Sequence, residues 1–167
     1  ARERITEFKI NWNIVSWPGK AWAKRVFPEL DTDEAVVKLA DAIFDASRAS
    51  VDDPVKAWDD HNEKLRIKTN WLNDQNFAAL QYNGPNTNLR VGLADEHEWM
   101  GGASKAQNGI ICNPNIPSEE VFTTPHAYKV DGTVVSTKPL SYQGTLIENI
   151  KVTFKDGKII EASASKG

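Results

Sequence analysis

Between Asn113 and His126 the chain reads Asn-Pro-Asn-Ile-Pro-Ser-Glu-Glu-Val-Phe-Thr-Thr-Pro-His, with Glu119 and Glu120 set among three prolines. Carboxylate oxygens suit divalent ions, and a ligand works best when its backbone is fixed before the ion arrives. Pro114, Pro117 and Pro125 fix φ and remove hydrogen-bond donors, so no long helix or central strand runs through the stretch. If Val121-Phe122 is extended, Glu119 and Glu120 point to opposite sides of the backbone. One carboxylate then faces a cleft while the other faces solvent or a backbone donor. The pattern alone fits both a metal or substrate site and a solvated acidic turn.

Other reactive residues are sparse. Cys112 is the single cysteine, which excludes an internal disulfide and a thiolate metal cage. The three histidines show no His-x-x-x-His spacing. His61, among Asp59, Asp60 and Glu63 in a helical stretch, reads as a solvated helix residue. The acids around His97 favour its protonated form, which opposes coordination. His126 is the best placed of the three, yet an extended path puts it ~20 Å from Glu120 unless Pro125 reverses the chain. Gly101-Gly102 and Gly84-Pro85 lack the spacing and the following Lys-Ser/Thr of a phosphate loop. Gly101-Gly102-Ala103-Ser104 reads instead as a loop that turns the chain after Trp99.

The elements that would position the acidic loop follow from periodicity. Phe8, Ile10, Trp12 and Ile14 alternate with polar residues, predicting a half-buried strand over 5–17. Ala21–Val26 makes one or two helical turns before Pro28, and Trp12, Trp17 and Trp22 are expected in the core rather than as a stacking platform. Asp31-Thr32-Asp33-Glu34 opens a helix carrying Val36, Leu39, Ala40, Ile43 and Phe44 on one face, to about Ala49. Asp53-Pro54 opens a second, with Val55, Trp58, Leu65 and Leu72 as its apolar stripe, to about Asn73. The short joint between them predicts an antiparallel pair with both stripes buried together.

From Phe77 the period changes to two. Ala78–Tyr82 and Leu89–Leu93 are predicted strands around Asn83-Gly84-Pro85-Asn86; Asp131-Gly132 and Asp156-Gly157 each signal a two-residue hairpin. The fold class is α+β, an antiparallel helix pair packed on a largely antiparallel sheet. We expect a single α+β region over 1–167, with strand and helices in 1–76 and a β-rich segment in 77–167 that carries the Glu120 loop.

Forty per cent hydrophobic residues with six tryptophans is a globular composition for 167 residues. A net charge of −3 gives no electrostatic case for nucleic acid or an anionic membrane, and Lys64–Lys68 is spaced for the wet face of a helix. No signal-peptide pattern or apolar run of ~20 residues appears, so a cytoplasmic protein that does not enter a membrane is expected.

The acidic loop resembles the Asn-x-Pro-[Ser/Thr]-[Gly/Glu]-Glu-Val-Phe-Thr-x-Pro signature of the aminopeptidase T / aminopeptidase S family, bacterial two-metal exopeptidases. Trp17–Lys24, Gly84–Leu89, Ser136–Leu140 and Phe154–Lys158 resemble further family segments in the same order. The resemblance implies a metalloaminopeptidase acting on peptides, homodimeric when whole, with two divalent ions of zinc, cobalt or manganese. Glu120 matches the family's metal-ligand glutamate before Val-Phe-Thr. Glu119 falls where the family also accepts glycine, which implies a surface or supporting group. The family's other ligands and its catalytic tyrosine correspond to a segment beyond Gly167, and Tyr82, Tyr128 and Tyr142 do not match that tyrosine's motif. With no initiator Met before Ala1 and no closing element at Gly167, the chain reads as an internal fragment of a larger enzyme, expected to be inactive alone. A different class remains open: a non-catalytic peptide- or carbohydrate-binding module presenting its tryptophans, or an oligomerisation domain built on a sheet edge or the helix pair.

Overall fold

The structure, a computed structural model, describes residues 2–167. Its helices are α1 (Arg2–Thr6), α2 (Lys20–Val26), α3 (Thr32–Ala46) and α4 (Pro54–Gln75). In chain order its strands are β1 (Ile14–Val15), β2 (Ala79–Gly84), β3 (Thr87–Leu93), β4 (Met100–Gly101), β5 (Ser104–Lys105), β6 (Ile111–Cys112) and β7 (Asn115–Ile116). There follow β8 (Val121–Phe122), β9 (Pro125–Val135), β10 (Leu140–Tyr142), β11 (Thr145–Ile147), β12 (Lys151–Lys155) and β13 (Lys158–Ser163). Helices with mostly antiparallel strands make an α+β chain, as the periodicity predicts. The residues group into two compact units, one of 2–71 with 100–122, the other of 72–99 with 123–167.

In the first unit the helix starts follow local chemistry. The Asp31 side chain accepts hydrogen bonds from the backbone N–H groups of Asp33 (2.9 Å) and Glu34 (3.0 Å), satisfying two donors that the first turn leaves open. Asp53 does the same for Lys56 at 2.9 Å, with Pro54 in the first helical position. The predicted partner of α3 is corrected by the structure: α3 packs on α2, not face to face with α4. The small Ala23 and Ala35 sit fully buried between α2 and α3, beside Leu39 at 5% exposure. Phe27, Leu30, Val36 and Ile43 close around them. On α4 the predicted stripe holds at Trp58, Leu65 (2% exposed) and Leu72 and fails at its first residue, Val55, which is 74% exposed; Thr69 is buried as well. Leu65 lies against Gly102.

Two buried leucines thus hold separate contacts. Leu39→Ala and Leu65→Ala should each cost about 2–5 kcal/mol in denaturant melts, the usual range for emptying a packed leucine site. A loss below roughly 0.5 kcal/mol at both positions would show that neither contact is a core.

Residues 5–17 do not form the predicted strand. Arg2–Thr6 is helical, and Phe8, at φ 53, takes a left-handed conformation that no strand continues through. Strand character survives only at Ile14-Val15, which pairs in parallel with Asn115-Ile116. The tryptophans are corrected as well: Trp17 and Trp22 are exposed, and only Trp12 of the three is partly covered.

The second unit is a five-stranded antiparallel sheet in the order β13-β12-β9-β3-β2. Pro85-Asn86 turns β2 into β3, with Asn86 left-handed. Asp156-Gly157 turns β12 into β13 as predicted, both residues at positive φ, as a primed hairpin turn requires. Asp131-Gly132 is not a turn. It lies inside β9, an unbroken strand of 11 residues, with Gly132 opposite Leu89 on one side and Phe154 on the other. Asp131 accepts a hydrogen bond from the Asp156 backbone N–H (3.1 Å) and pairs with Lys155. Those contacts, the backbone bond first, hold its carboxyl below the usual carboxylate range.

Candidate functional site

The two adjacent glutamates of the acidic loop meet different surroundings. Val121-Phe122 is extended, as β8, and pairs antiparallel with β4, Met100 opposite Phe122 and Gly101 opposite Val121. Glycine is needed at 101, because a Cβ there would lie 2.6 Å from the Glu120 carbonyl oxygen. Earlier in the loop, Asn113 and Asn62 of α4 exchange side-chain hydrogen bonds of 3.0 and 2.9 Å. The Asn13 amide donates to the Asn113 carbonyl at 2.7 Å. The loop is therefore tied to α4 before its carboxylates begin.

Glu119 faces α3 and α4. Arg48, two residues past the end of α3, donates both guanidinium arms to it, Nη1 to Oε1 at 2.5 Å and Nη2 to Oε2 at 3.0 Å. The fork matches the carboxylate in the bidentate geometry that makes arginine pairs strong. The Arg48 hydrogen bonds hold the Glu119 carboxyl below the usual glutamate range, with the Arg48 charge adding to them and partial burial opposing them. His61 Nε2 lies 2.7 Å from the Ser118 carbonyl and 3.6 Å from Glu119 Oε2. Because a carbonyl only accepts, Nε2 carries the proton, which leaves Nδ1 to accept from Arg48 Nη2 at 3.2 Å. His61 is therefore no solvated helix residue: its side chain is 11% exposed and bound on both nitrogens. It takes its place from the loop that folds over it, which the acids flanking it in sequence do not reveal.

Glu120 has no such partners. Its side chain makes no hydrogen bond or ion pair among the described residues, and backbone alternation sends it away from Glu119. It lines a cavity of about 590 Å³ together with Phe8, Trp12, Met100, Lys105 and Phe122. Phe8 and Trp12 meet edge to face, with centroids 6.3 Å apart, and the buried Trp12 Nε1 has no hydrogen-bond acceptor among the described residues. A free carboxylate on a partly apolar wall is an oxygen ligand that pays little to leave other partners.

The remaining histidines lie in the second unit. His97 Nδ1 is 3.0 Å from the Ala94 carbonyl, and its ring meets Trp99 edge on. His126 Nδ1 accepts from the Tyr128 backbone N–H at 3.1 Å. Among the described residues no three His, Cys, Asp or Glu side chains gather to hold an ion. The structure places Glu120 on a cavity wall, and it brings Arg48 and His61 to the acidic loop, which the sequence did not foretell. The one signal for them was chemical, the need of two adjacent carboxylates for a neighbouring cation.

The chain matches, over residues 1–167, the model of a family described as thermophilic metalloprotease (M29). It is 48% identical over 167 residues to aminopeptidase T of Thermus thermophilus, covering 100% of this chain and 41% of that protein. Against aminopeptidase 2 of Geobacillus stearothermophilus the identity is 46% over 156 residues, 93% of this chain and 38% of the relative. Against aminopeptidase AmpS of Bacillus subtilis it is 42% over 166 residues, 99% and 40% respectively. The solved structure of wild-type AmpT from Thermus thermophilus superposes with a TM-score of 0.91 at 46% identity, covering 99% of this chain and 40% of that one. The chain thus spans about two-fifths of the length of the curated relatives it matches.

Proposed function

This chain belongs to the M29 metalloprotease family, and from that premise we propose that it forms part of a metalloaminopeptidase that removes N-terminal residues from peptides. The observation that carries the reading is the division of labour between neighbours: Arg48 neutralises Glu119, while Glu120 stands unpartnered on a cavity wall. Glu120 would supply one ligand to a centre of two divalent ions, zinc, cobalt or manganese. Such a pair, when bound, polarises a carbonyl and lowers the pKa of a water. The donor chemistry of Glu120 fits one position of that centre, and a single carboxylate fits no more than one. The other ligands would come from the part of the full-length enzyme that this chain does not span.

The chain's own residues have simpler tasks. Glu120 brings negative charge to the cavity, and Trp12 and Phe122 give it apolar walls that exclude water. The buried Trp12 indole N–H is a donor for a peptide carbonyl. No described helix is long and apolar enough to cross a membrane, and the reading extends to a cytoplasmic, homodimeric whole protein that acts on peptides.

The test compares this chain with the full-length enzyme. With added zinc, cobalt or manganese, the full-length enzyme should release amino acids from unblocked peptides and not from N-acetylated ones, and a chelator should stop it. The chain alone should release none. Equal cleavage of blocked and unblocked peptides would overturn the aminopeptidase reading, and turnover by the chain alone would reveal a complete site within it.

A further inference from the structure

We infer that Arg48 and His61 are positioning residues: by clamping Ser118 and Glu119 they present Glu120, alone of the two adjacent carboxylates, to the cavity. The inference rests on the reading of Glu120 as a metal ligand and adds the device that makes it one. Adjacent carboxylates pose a problem for a divalent ion, because each competes for it and each repels the other. The Arg48 fork removes Glu119 from that competition by occupying both of its oxygens. His61 fixes the backbone one residue earlier, through the Ser118 carbonyl. On the far side of Glu120, Val121 is held by its pairing with Gly101. The ligand's backbone is therefore bracketed on both sides.

Arg48 is itself held. It adopts a left-handed φ of 57° after α3, and its guanidinium lies 5.2 Å from the centre of the Trp58 ring. The Trp58 indole donates to the Ser47 carbonyl at 2.9 Å, and His61 Nδ1 accepts from Arg48. None of Arg48, Trp58, His61 or Glu119 lines the cavity. They reach the cavity only through the loop they hold, which places Ser118 and Glu120 on its wall.

The experiment uses the full-length enzyme with Arg48→Met, Arg48→Lys, Glu119→Gln, the Arg48→Met/Glu119→Gln double variant, and Glu120→Gln. Zinc affinity is measured by competition with a chelating indicator, beside the melting temperature of the metal-free protein and peptide turnover. Arg48→Met should weaken zinc affinity about 10- to 100-fold at temperatures well below its melting point, as loss of ligand support does elsewhere. Arg48→Lys, a point charge in place of a fork, should recover part of that loss. The double variant should bind zinc no more weakly than Arg48→Met, since both changes break one contact. If Arg48→Met does not fold, Arg48→Lys and Glu119→Gln carry the same comparison. Wild-type zinc affinity in the Arg48 and Glu119 variants, with only the melting temperature lowered, would overturn the inference while Glu120→Gln still loses zinc. Wild-type zinc affinity in Glu120→Gln would instead overturn the ligand reading beneath it.

Discussion

Glu120→Gln in the full-length enzyme should remove most of the bound metal and lower peptide turnover by roughly 10³-fold. The side chain keeps its size and loses its charge, and a neutral amide offsets far less of a divalent ion's charge than a carboxylate. Lewis-acid stabilisation of a transition state is worth several kcal/mol, and each 1.36 kcal/mol is a factor of ten in rate, which sets the scale. In the isolated chain the same change should behave oppositely. Glu120 is exposed and has no partner among the described residues, and the change removes one negative charge from a chain of net charge −3, so the melting temperature should stay level or rise slightly. Glu119→Gln should be milder on turnover, because that side chain stands off the cavity. A Glu120→Gln enzyme with wild-type metal content and rate would end the ligand assignment. A marked fall in the isolated chain's melting temperature would make Glu120 a structural residue of the loop.

What was legible in the residues was local. Asp31 and Asp53 start helices because their carboxylates reach backbone donors two or three positions on, and Asp156-Gly157 turns because both residues accept positive φ. The extended Val121-Phe122 likewise follows from a short apolar pair between prolines. What escaped was decided by distant parts of the chain. Arg48 meets Glu119 across 71 positions and His61 meets Ser118 across 57, so no spacing rule brings them together. The choice of α2 over α4 as the partner of α3 turned on Ala23 and Ala35, two small residues that let helices approach and that read as filler in a search for large apolar stripes. Phe8–Ile14 alternated as a strand does, but alternation cannot create a pairing partner, and only Ile14-Val15 found one.

Gly132 is the position where the wrong local reading and the right structural one predict different numbers. Replacing it by alanine should cost about 2–5 kcal/mol, from two sources. Its φ of 115° lies where an L side chain is strained, about 1–2 kcal/mol. The new Cβ would also drive into the Asn88 backbone carbonyl of β3, and a paired strand cannot rotate out of the way as a side chain would, adding about 1–3 kcal/mol of overpacking. Gly144, between β10 and β11, separates the two terms: its φ is 82°, yet nothing lies within 4 Å of the position a Cβ would take. Gly144→Ala should therefore show the strain without the collision. If Asp131-Gly132 were the two-residue turn its composition suggests, Gly132 would resemble Gly144 and the two alanine variants would melt alike in denaturant. The continuous β9 strand, pinned between β3 and β12, requires that Gly132→Ala be the more damaging by at least about 1 kcal/mol, and equal losses would return the segment to a hairpin.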